Sequence, residues 1–170
     1  AAIPLSLYVH LPWCTQKCPY CDFNSHEGFT PELQRPYVNA LLQDLDSQLS
    51  GIDGRLVESI FIGGGTPSLF SGEWIQRLLS GLAARIPFAP GAEITLESNP
   101  GSAERGRYQA YREAGVTRLS IGVQSFNEAA LSRLGRIHSG DDARQALHLV
   151  NTVGFQNWNI DLMHGLPGQT

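Results

Sequence analysis

The three cysteines of the chain, Cys14, Cys18 and Cys21, lie within eight residues of one another. An odd number of thiols with no cysteine elsewhere cannot form a complete set of disulfides, so a disulfide framework is not favoured. Reduced thiols fit a reducing compartment such as the cytoplasm. Thiolates are soft ligands that select zinc, copper(I) or iron–sulfur clusters. Three of them at this spacing therefore indicate a metal centre.

Two other interpretations of the cysteines remain open from the residues alone. A structural zinc site needs a fourth ligand, which His10 or His26 would have to supply, and such sites usually draw pairs of ligands from two separate segments. Alternatively, the three side chains are buried as small hydrophobic groups. The flanking Pro12, Lys17 and Pro19 argue against burial in a core element, because they are typical of a loop.

The CxxxCxxC spacing also resembles the cluster-binding loop of radical S-adenosylmethionine (SAM) proteins. In that superfamily three thiolates hold a [4Fe–4S] cluster, and the iron without a protein ligand chelates the amino and carboxylate groups of SAM. An electron from the cluster then cleaves the sulfonium and yields a 5'-deoxyadenosyl radical. An aromatic residue between the second and third cysteines, here Tyr20, is also usual in the superfamily.

The composition describes an ordinary globular chain. Its 170 residues correspond to one domain, with 42% hydrophobic and 16% charged residues. No apolar run approaches the ~18 residues that a membrane span requires. The formal net charge of −4 argues against a nucleic-acid partner held by phosphate neutralisation. We therefore expect neither a membrane span nor a nucleic-acid partner.

Strand-like and helix-like segments alternate along the chain. Strands are predicted at residues 5–10, 57–62, 92–97, 117–122 and 158–162. Helices are predicted between them, from Thr30 to about Leu49, from Ser71, from Ser102 to Gly115, from Asn127 to Gly135 and from Asp141 to about Gly154. The predicted buried residues are Leu41, Leu42, Leu45 and Leu49 in the first helix, and Ile75, Leu78, Leu79 and Leu82 in the second.

This alternation predicts an α/β fold with parallel strands, either a partial (βα) barrel of the TIM type or an open sheet. No helix is predicted after the fifth strand. We therefore expect residues 1–170 to be the N-terminal part of a radical SAM core domain, truncated after that strand. The remainder of the barrel and a C-terminal domain would then lie outside this chain.

The predicted strands end at groups that suit a polar ligand, which is where parallel α/β enzymes place their working residues. These groups are the cysteine loop, Gly63–Thr66, Glu97, Gly122 with Gln124, and Asp161. The glycine run would let backbone approach a ligand, although a simple tight turn explains it equally well. Glu97 and Asp161 lie in otherwise apolar strands, where a charge needs a partner. Arg118 or Arg136 could form a purely structural ion pair with either of them.

Several motifs resemble, in order and spacing, those of the oxygen-independent coproporphyrinogen III oxidase family. They are Tyr8-Val9-His10-Leu11-Pro12-Trp13-Cys14, the three-cysteine loop, Gly63-Gly64-Gly65-Thr66-Pro67, Glu97, Gly122-Val123-Gln124-Ser125-Phe126, Arg136 and Ile160-Asp161-Leu162. Within the family the chain is most similar to the HemW branch, the haem chaperones. Asp22 and Phe23 follow Cys21 where the oxidases carry a fourth cysteine, and the first strand begins without the long N-terminal segment of the oxidases.

The resemblance implies ligands and a function. Cys14, Cys18 and Cys21 would ligate the cluster, and Tyr8 and Tyr20 would line it. Gly64, Gly65 and Thr66 would contact the methionine end of SAM. The polar groups and ribose of SAM, or of a second SAM, would be held by Glu97, Gln124, Arg136 and Asp161. The protein would bind haem and transfer it to acceptor proteins such as respiratory enzymes.

Two alternatives to the haem chaperone remain. One is an enzyme that oxidatively decarboxylates the propionates of coproporphyrinogen III by hydrogen abstraction, and the other is an iron–sulfur domain without radical chemistry. Neither the motifs nor the resemblance assigns a catalytic residue, a haem ligand or an electron donor.

Overall fold

The computed structural model describes residues 3–52 and 54–169. Its strands are β1 (Leu5–Leu11), β2 (Val57–Gly64), β3 (Phe88–Ser98), β4 (Arg118–Gln124) and β5 (Asn157–Leu162). Its helices are α1 (Gln34–Gln48), α2 (Gly72–Ala83), α3 (Ser102–Arg105), α4 (Tyr108–Ala114), α5 (Glu128–Arg133) and α6 (Gly140–Val153). Short 3₁₀ turns flank α1 at Pro31–Leu33 and Leu49–Gly51, and another precedes α2 at Pro67–Leu69.

The strands form one parallel sheet in which they are neighbours in sequence order. This confirms the expected α/β architecture and all five predicted strands. Leu11 at the end of β1 pairs with Gly64, and Ser98 at the end of β3 pairs with Ile121. The C-terminal ends of the strands therefore lie along one edge of the sheet, which we call the rim.

The two faces of the sheet differ in chemistry. One face packs against the helices and supplies apolar strand residues such as Ile62, Leu96 and Ile121 to the core. The alternate strand residues lie on the other face, where polar side chains hydrogen-bond across the strands. We call this set the polar face: Ser6, Ser59, Glu93, Thr95, Glu97, Arg118, Ser120, Asn159 and Asp161. The period of two along each strand separates these sets.

Capping contacts confirm several predicted helix boundaries. The Ser71 hydroxyl accepts a hydrogen bond from the Trp74 amide at 3.3 Å, and Asn127 Oδ1 accepts one from the Ala130 amide at 3.0 Å. Gly115 ends α4 in a left-handed conformation that suits glycine. The predicted apolar face of α2 is also buried in full.

Two helical segments differ from the predictions. Residues 102–115 do not form one helix, because the chain turns at Gly106 and Arg107, and Arg107 reaches the Leu69 carbonyl at 3.2 Å. The last helix begins at Gly140 rather than Asp141. Its N-cap is Ser139, which forms a capping box with Asp142. The S-x-x-D spacing carries that signal in the sequence.

The predicted buried face of α1 is confirmed. Leu45 is buried, and Leu41, Leu42 and Leu49 are partly buried and pack against the core. Val38 and Gln34 extend the same face towards the N-terminus and are buried as well, and Gln34 Oε1 accepts a hydrogen bond from the Ser71 amide at 2.7 Å. A polar contact therefore joins α1 to the start of α2. None of the helices in the described part of the chain has the length and apolar character that crossing a bilayer would need.

Candidate functional site

The loops at the rim enclose one cavity. Every predicted site residue except Tyr8 lines it: Cys14, Cys18, Cys21, Tyr20, Gly64, Gly65, Thr66, Glu97, Gln124, Arg136 and Asp161. The other lining residues are Gln16, Phe23, Pro67, Ser98, Asn99, Ser120 and Gly122. Segments that follow all five strands, or lie at their ends, thus contribute to one site, as expected for a parallel sheet.

The cysteine loop is closed at its base by backbone pairing. The Cys14 amide donates to the His26 carbonyl at 2.8 Å, and the His26 amide donates to the Pro12 carbonyl at 2.7 Å. These bonds form a parallel bridge between Trp13 and His26. The Trp13 ring packs edge-on against Tyr37, with 4.7 Å between ring centroids. The loop therefore leaves the sheet from a fixed base.

Contacts of Lys17 fold the outer part of the loop. Its Nζ donates to the Phe23 carbonyl at 3.2 Å, and its amide donates to Glu27 Oε1 at 2.8 Å. The Cys21 amide donates to the Cys18 carbonyl at 3.0 Å, which makes a tight turn between these two cysteines. Protein groups thus determine the course of the loop.

The glycine run after β2 pairs with the cysteine loop. The Gly65 amide donates to the Leu11 carbonyl at 2.9 Å, and the Thr66 amide donates to the Trp13 carbonyl at 2.7 Å. A Cβ on Gly65 would lie 2.6 Å from the Trp13 oxygen and 3.0 Å from Cys14 Sγ. Close approach of the two chain segments therefore accounts for this glycine. Part of its role is structural, as the tight-turn alternative anticipated.

The chemistry of the thiols fits an iron–sulfur cluster. All three are free; Cys14 is buried, and Cys18 and Cys21 are partly exposed. Within residues 3–52 and 54–169, no group of three or more His, Cys, Asp or Glu side chains is arranged to hold a metal ion. The thiols line one cavity without meeting at a single point, whereas a cubane presents separate irons to separate thiolates. Three thiolates with open space beside them suit such a cluster.

His10 is already engaged on both ring nitrogens. Its Nε2 lies 2.8 Å from the Asn24 carbonyl, and its Nδ1 lies 2.9 Å from the Tyr8 hydroxyl. Because a carbonyl only accepts, Nε2 carries the proton and Nδ1 accepts from Tyr8. These contacts disfavour His10 as a zinc ligand. Tyr8, which is 61% exposed, does not line the cavity.

Glu97 is a half-buried carboxylate at the end of β3. Its Oε2 accepts a hydrogen bond from the Gly64 amide at 3.1 Å. Burial raises the pKa of Glu97 above its usual value; the hydrogen bond from Gly64 partly offsets this effect, and the negative charge of Asp161 adds to it. The site thus holds two carboxylates close enough to influence each other.

The structural ion pairs considered for these carboxylates are not formed. Among the described residues, no ion pair includes Glu97 or Asp161. Arg118 instead pairs with Glu93 at 3.0 Å. Asp161 accepts hydrogen bonds from neutral donors, one of them the Asn159 amide at 3.1 Å. Both carboxylates are therefore available to a polar ligand.

Arg136 connects the cysteine loop to the strand ends. Its Nη2 donates to Asn99 Oδ1 at 2.6 Å and to the Gly122 carbonyl at 2.7 Å, while its Nη1 donates to Cys18 Sγ at 3.5 Å. Asn99 Nδ2 in turn donates to Thr66 Oγ1 at 3.1 Å. A hydrogen-bonded chain thus runs from the loop after β2 to a cysteine.

Two further cavity residues carry local signatures of a binding site. Burial raises the pKa of Tyr20 to about 12, although the nearby Arg136 charge acts in the opposite direction. The Tyr20 phenol is therefore a neutral hydroxyl at physiological pH. Gln124 has a left-handed backbone with a φ of 66°. Such strain in a residue other than glycine is concentrated at functional sites.

Asn99 is the site residue that the sequence reasoning missed. From the sequence alone, Asn99-Pro100-Gly101 indicates only a break after the third strand. The available signal was its position two residues after Glu97, at the end of a strand whose neighbours all deliver site residues. Its amide supplies the acceptor for Arg136 and a donor to Thr66.

Comparison with known proteins gives a consistent result. Residues 8–170 match the family model of the radical SAM superfamily. The chain is 56% identical over 169 residues to the heme chaperone HemW of Escherichia coli K12, and 36% identical over 166 residues to the heme chaperone HemW of Bacillus subtilis 168. These matches cover 98% and 97% of the chain. Since each covers 44% of the relative, the chain spans less than half the length of these proteins.

Solved structures show the same fold. Coproporphyrinogen III oxidase (HemN) from Escherichia coli, a radical SAM enzyme, superposes with a TM-score of 0.88 at 35% identity. That match covers 98% of this chain and 38% of the oxidase. Elp3 from Methanocaldococcus infernus superposes with a TM-score of 0.60 at 21% identity, over 99% of this chain and 40% of that one, which shows a shared fold alone.

Proposed function

The chain belongs to the radical SAM superfamily, and we propose that its rim cavity binds SAM beside a [4Fe–4S] cluster held by Cys14, Cys18 and Cys21. Membership of the superfamily implies both ligands. The observation that carries the assignment to this cavity is that three free thiols and two carboxylates without cationic partners line it together. A purely structural cavity would be expected to neutralise such groups internally.

The polar side chains of the cavity suit the functional groups of SAM. When bound, the cluster supplies the electron that cleaves the sulfonium. Glu97, oriented by the Gly64 amide, accepts hydrogen bonds from ammonium or hydroxyl donors, and Asp161 does the same for ribose hydroxyls. Arg136 and Gln124 donate to the carboxylate or to base and ribose acceptors. These roles extend to a second SAM if the site holds two.

The remaining proposed contacts are those of the cavity wall. Gly64, Gly65 and Thr66 lie against the methionine end of SAM. Tyr20 contacts the cluster side of the cavity through a ring that stays neutral. Tyr8 is assigned to the cluster surroundings by family resemblance only, since its hydroxyl is bound to His10.

For the whole protein, we propose a cytoplasmic haem chaperone of the HemW type that binds haem and transfers it to acceptors such as respiratory enzymes. Its support is similarity to the Escherichia coli protein, 56% identical, that is named a heme chaperone. The sequence after the third cysteine gives further support, because Phe23 occupies the position where related oxidases carry a fourth cysteine.

A coproporphyrinogen III oxidase is the second candidate. The close superposition with that enzyme, with a TM-score of 0.88, favours it. Both functions use a cluster and SAM, so evidence for those two ligands does not separate them. Only the treatment of the porphyrin distinguishes a chaperone from an enzyme.

Anaerobic reconstitution tests the cluster. The full-length protein should turn brown, bind about four irons per chain and bind SAM in isothermal titration. Replacing any one of the three cysteines by alanine should abolish both the colour and the iron. Stoichiometric zinc in the wild-type protein, or iron retained after replacement of all three cysteines, would contradict the assignment.

A second experiment separates chaperone from enzyme. Reconstituted full-length protein receives SAM, a low-potential reductant and coproporphyrinogen III without oxygen, and a separate sample is titrated with haem. The chaperone predicts saturable binding of about one haem per chain, transfer to an apo-acceptor only when the cluster is present, and no turnover. Protoporphyrinogen formed over many turnovers, without saturable haem binding, would favour the oxidase.

A further inference from the structure

In addition to its proposed contact with SAM, Arg136 lies beside a cluster ligand, and Asn99 holds it there. We propose that Arg136 donates a hydrogen bond to the sulfur of the cluster ligand Cys18 and thereby raises the reduction potential of the cluster. Asn99 is the positioning residue that holds the guanidinium in place. The inference rests on the proposed cluster, and its test distinguishes failure of the one from failure of the other.

The direction of the Arg136 side chain is fixed at two points. Its Nη2 donates to Asn99 Oδ1 at 2.6 Å and to the Gly122 carbonyl at 2.7 Å. A guanidinium is planar with its N–H groups in a fixed fork, so holding Nη2 also fixes where Nη1 points. Nη1 lies 3.5 Å from Cys18 Sγ, a distance that suits an N–H···S hydrogen bond. The position of Nη1 beside the sulfur therefore follows from the two hydrogen bonds that Nη2 donates.

The positive charge of Arg136 is not neutralised by a carboxylate. None of the ion pairs among residues 3–52 and 54–169 includes Arg136. The Arg136 Nε is buried and has no hydrogen-bond partner among these residues. Neighbouring groups respond to this charge. The pKa of His138 is lowered first by burial and then by Arg136.

An uncompensated cation beside a ligand sulfur favours the reduced cluster. Reduction adds a negative charge to the cluster, and hydrogen bonds to its sulfurs together with local charge set its potential. In a partly buried site the interaction is screened less than in water. Arg136 therefore makes the cluster easier to reduce than the cysteine loop alone would.

Asn99 acts through Arg136 and not through the sulfur. Because a guanidinium only donates, Asn99 Oδ1 must face Arg136 and its Nδ2 must face Thr66 Oγ1, at 3.1 Å. Thr66 is itself anchored to the Trp13 carbonyl at 2.7 Å.

Redox titration of the reconstituted full-length protein in the absence of SAM, followed by electron paramagnetic resonance, tests the proposal. Arg136→Gln should shift the midpoint to more negative potential by at least a tenfold change in the reduction equilibrium, which is ~59 mV for a one-electron couple. Asn99→Ala should shift it in the same direction by less. In the Arg136→Gln background, Asn99→Ala should cause no further shift, because the group it positions is gone.

Matched controls lie on exposed surfaces. Asn39→Ala on α1 and Arg77→Gln on α2 remove the same kinds of side chain far from the rim and should leave the potential unchanged. If Arg136→Gln fails to fold or to retain iron, Arg136→Lys replaces it. Lysine keeps the charge, but its single ammonium cannot hold Asn99, Gly122 and Cys18 together, so an intermediate shift is expected.

The outcomes separate the two levels of inference. An Arg136→Gln protein with intact cluster and unchanged potential overturns the redox role. Equal shifts from Asn99→Ala with and without Arg136 overturn the positioning role. A wild-type protein that binds no cluster overturns the proposed function itself.

Discussion

Two glutamates on one strand show how differently the two ends of the polar face are built. Glu93 and Glu97 lie four residues apart on the same face of β3. Glu93 pairs with Arg118 at 3.0 Å and accepts a second hydrogen bond from Asn157, also at 3.0 Å. Glu97 accepts one from the Gly64 amide, and no described cation pairs with it.

The difference shows which end of the sheet is reserved for a ligand. Away from the rim, Glu93 and Arg118 neutralise each other's charge, so that end of the polar face contributes to the stability of the fold. At the rim, burial raises the pKa of Glu97 by more than the Gly64 hydrogen bond and the His10 charge lower it, which disfavours its ionised form in the folded protein. A carboxylate whose ionised form is destabilised in this way is typical of a functional site.

Disturbing the backbone contact under the rim should have the largest effect. Gly65→Ala places a Cβ 2.6 Å from the Trp13 oxygen, and overpacking of this kind costs about 1–3 kcal/mol. We expect a lower free energy of unfolding in urea and weaker iron retention after reconstitution. Gly51→Ala is the control, because no atom lies within 4 Å of its added Cβ. Equal behaviour of the two variants would refute a special role for Gly65.

The glutamate comparison itself predicts a difference in ligand affinity. Glu97→Gln should weaken SAM binding by about 1–3 kcal/mol, because it removes a charged hydrogen-bond acceptor at the cavity. Glu93→Gln should leave the affinity unchanged, since Glu93 is occupied by Arg118. Isothermal titration of the two reconstituted variants measures the contrast. Similar losses in both would mean that the rim is not the binding end.

Asp142 extends the comparison to a carboxylate that accepts hydrogen bonds from both the Ser139 amide and Arg105. The Ser139 amide and then Arg105 are the main causes that lower the pKa of Asp142 from 3.8 to about 2. A lowered pKa adds stability above the unfolded value, and this contribution is lost as the pH falls through the folded value. Asp142→Asn should therefore cost about 1 kcal/mol of unfolding free energy at neutral pH, and the difference should fade towards pH 2.

Its neighbour provides the control for that measurement. Asp141 pairs with Arg144 at 2.9 Å, but its side chain is 83% exposed. Asp141→Asn should change the unfolding free energy by less than about 0.5 kcal/mol. A loss as large as that of Asp142→Asn would show that the capping box is not the cause.

The smallest effect concerns the pH dependence of stability without SAM. Because folding raises the pKa of Glu97 above 4.5, the folded state retains a proton that the unfolded state releases. Its contribution to stability is therefore lost as the pH rises through the folded value. Relative to wild type, Glu97→Gln should therefore gain stability as the pH rises above 4.5. Urea unfolding at several pH values measures this difference in unfolding free energy. If the advantage of Glu97→Gln over wild type falls as the pH rises, burial does not dominate the pKa of Glu97.

The sequence was sufficient to predict the sheet and most of the cavity. Alternating strand and helix patterns imply parallel strands, and parallel strands bring their C-terminal ends to one edge. Residues as distant as Cys14 and Asp161 could therefore be placed in one site before any contact was known. Both line the cavity.

What the sequence did not reveal depends on tertiary partners. The apolar period of α1 predicts its buried face, but it does not reveal that Gln34 is buried on that face through a hydrogen bond to the Ser71 amide. The break between α3 and α4 follows a turn at Gly106 and Arg107, where the arginine side chain reaches a distant carbonyl. Asn99 acquires its role only through Arg136, 37 residues later in the chain.

The bridge between Trp13 and His26 bears on how a cluster could be assembled. Since its hydrogen bonds join backbone groups only, it closes the cysteine loop without any metal. The entropy of closing a loop, which grows with the logarithm of its length, is then lost during folding and not when iron arrives. Thiols tethered to one fixed base have a high effective concentration for each other. Capture of a first iron should therefore hasten capture of the next.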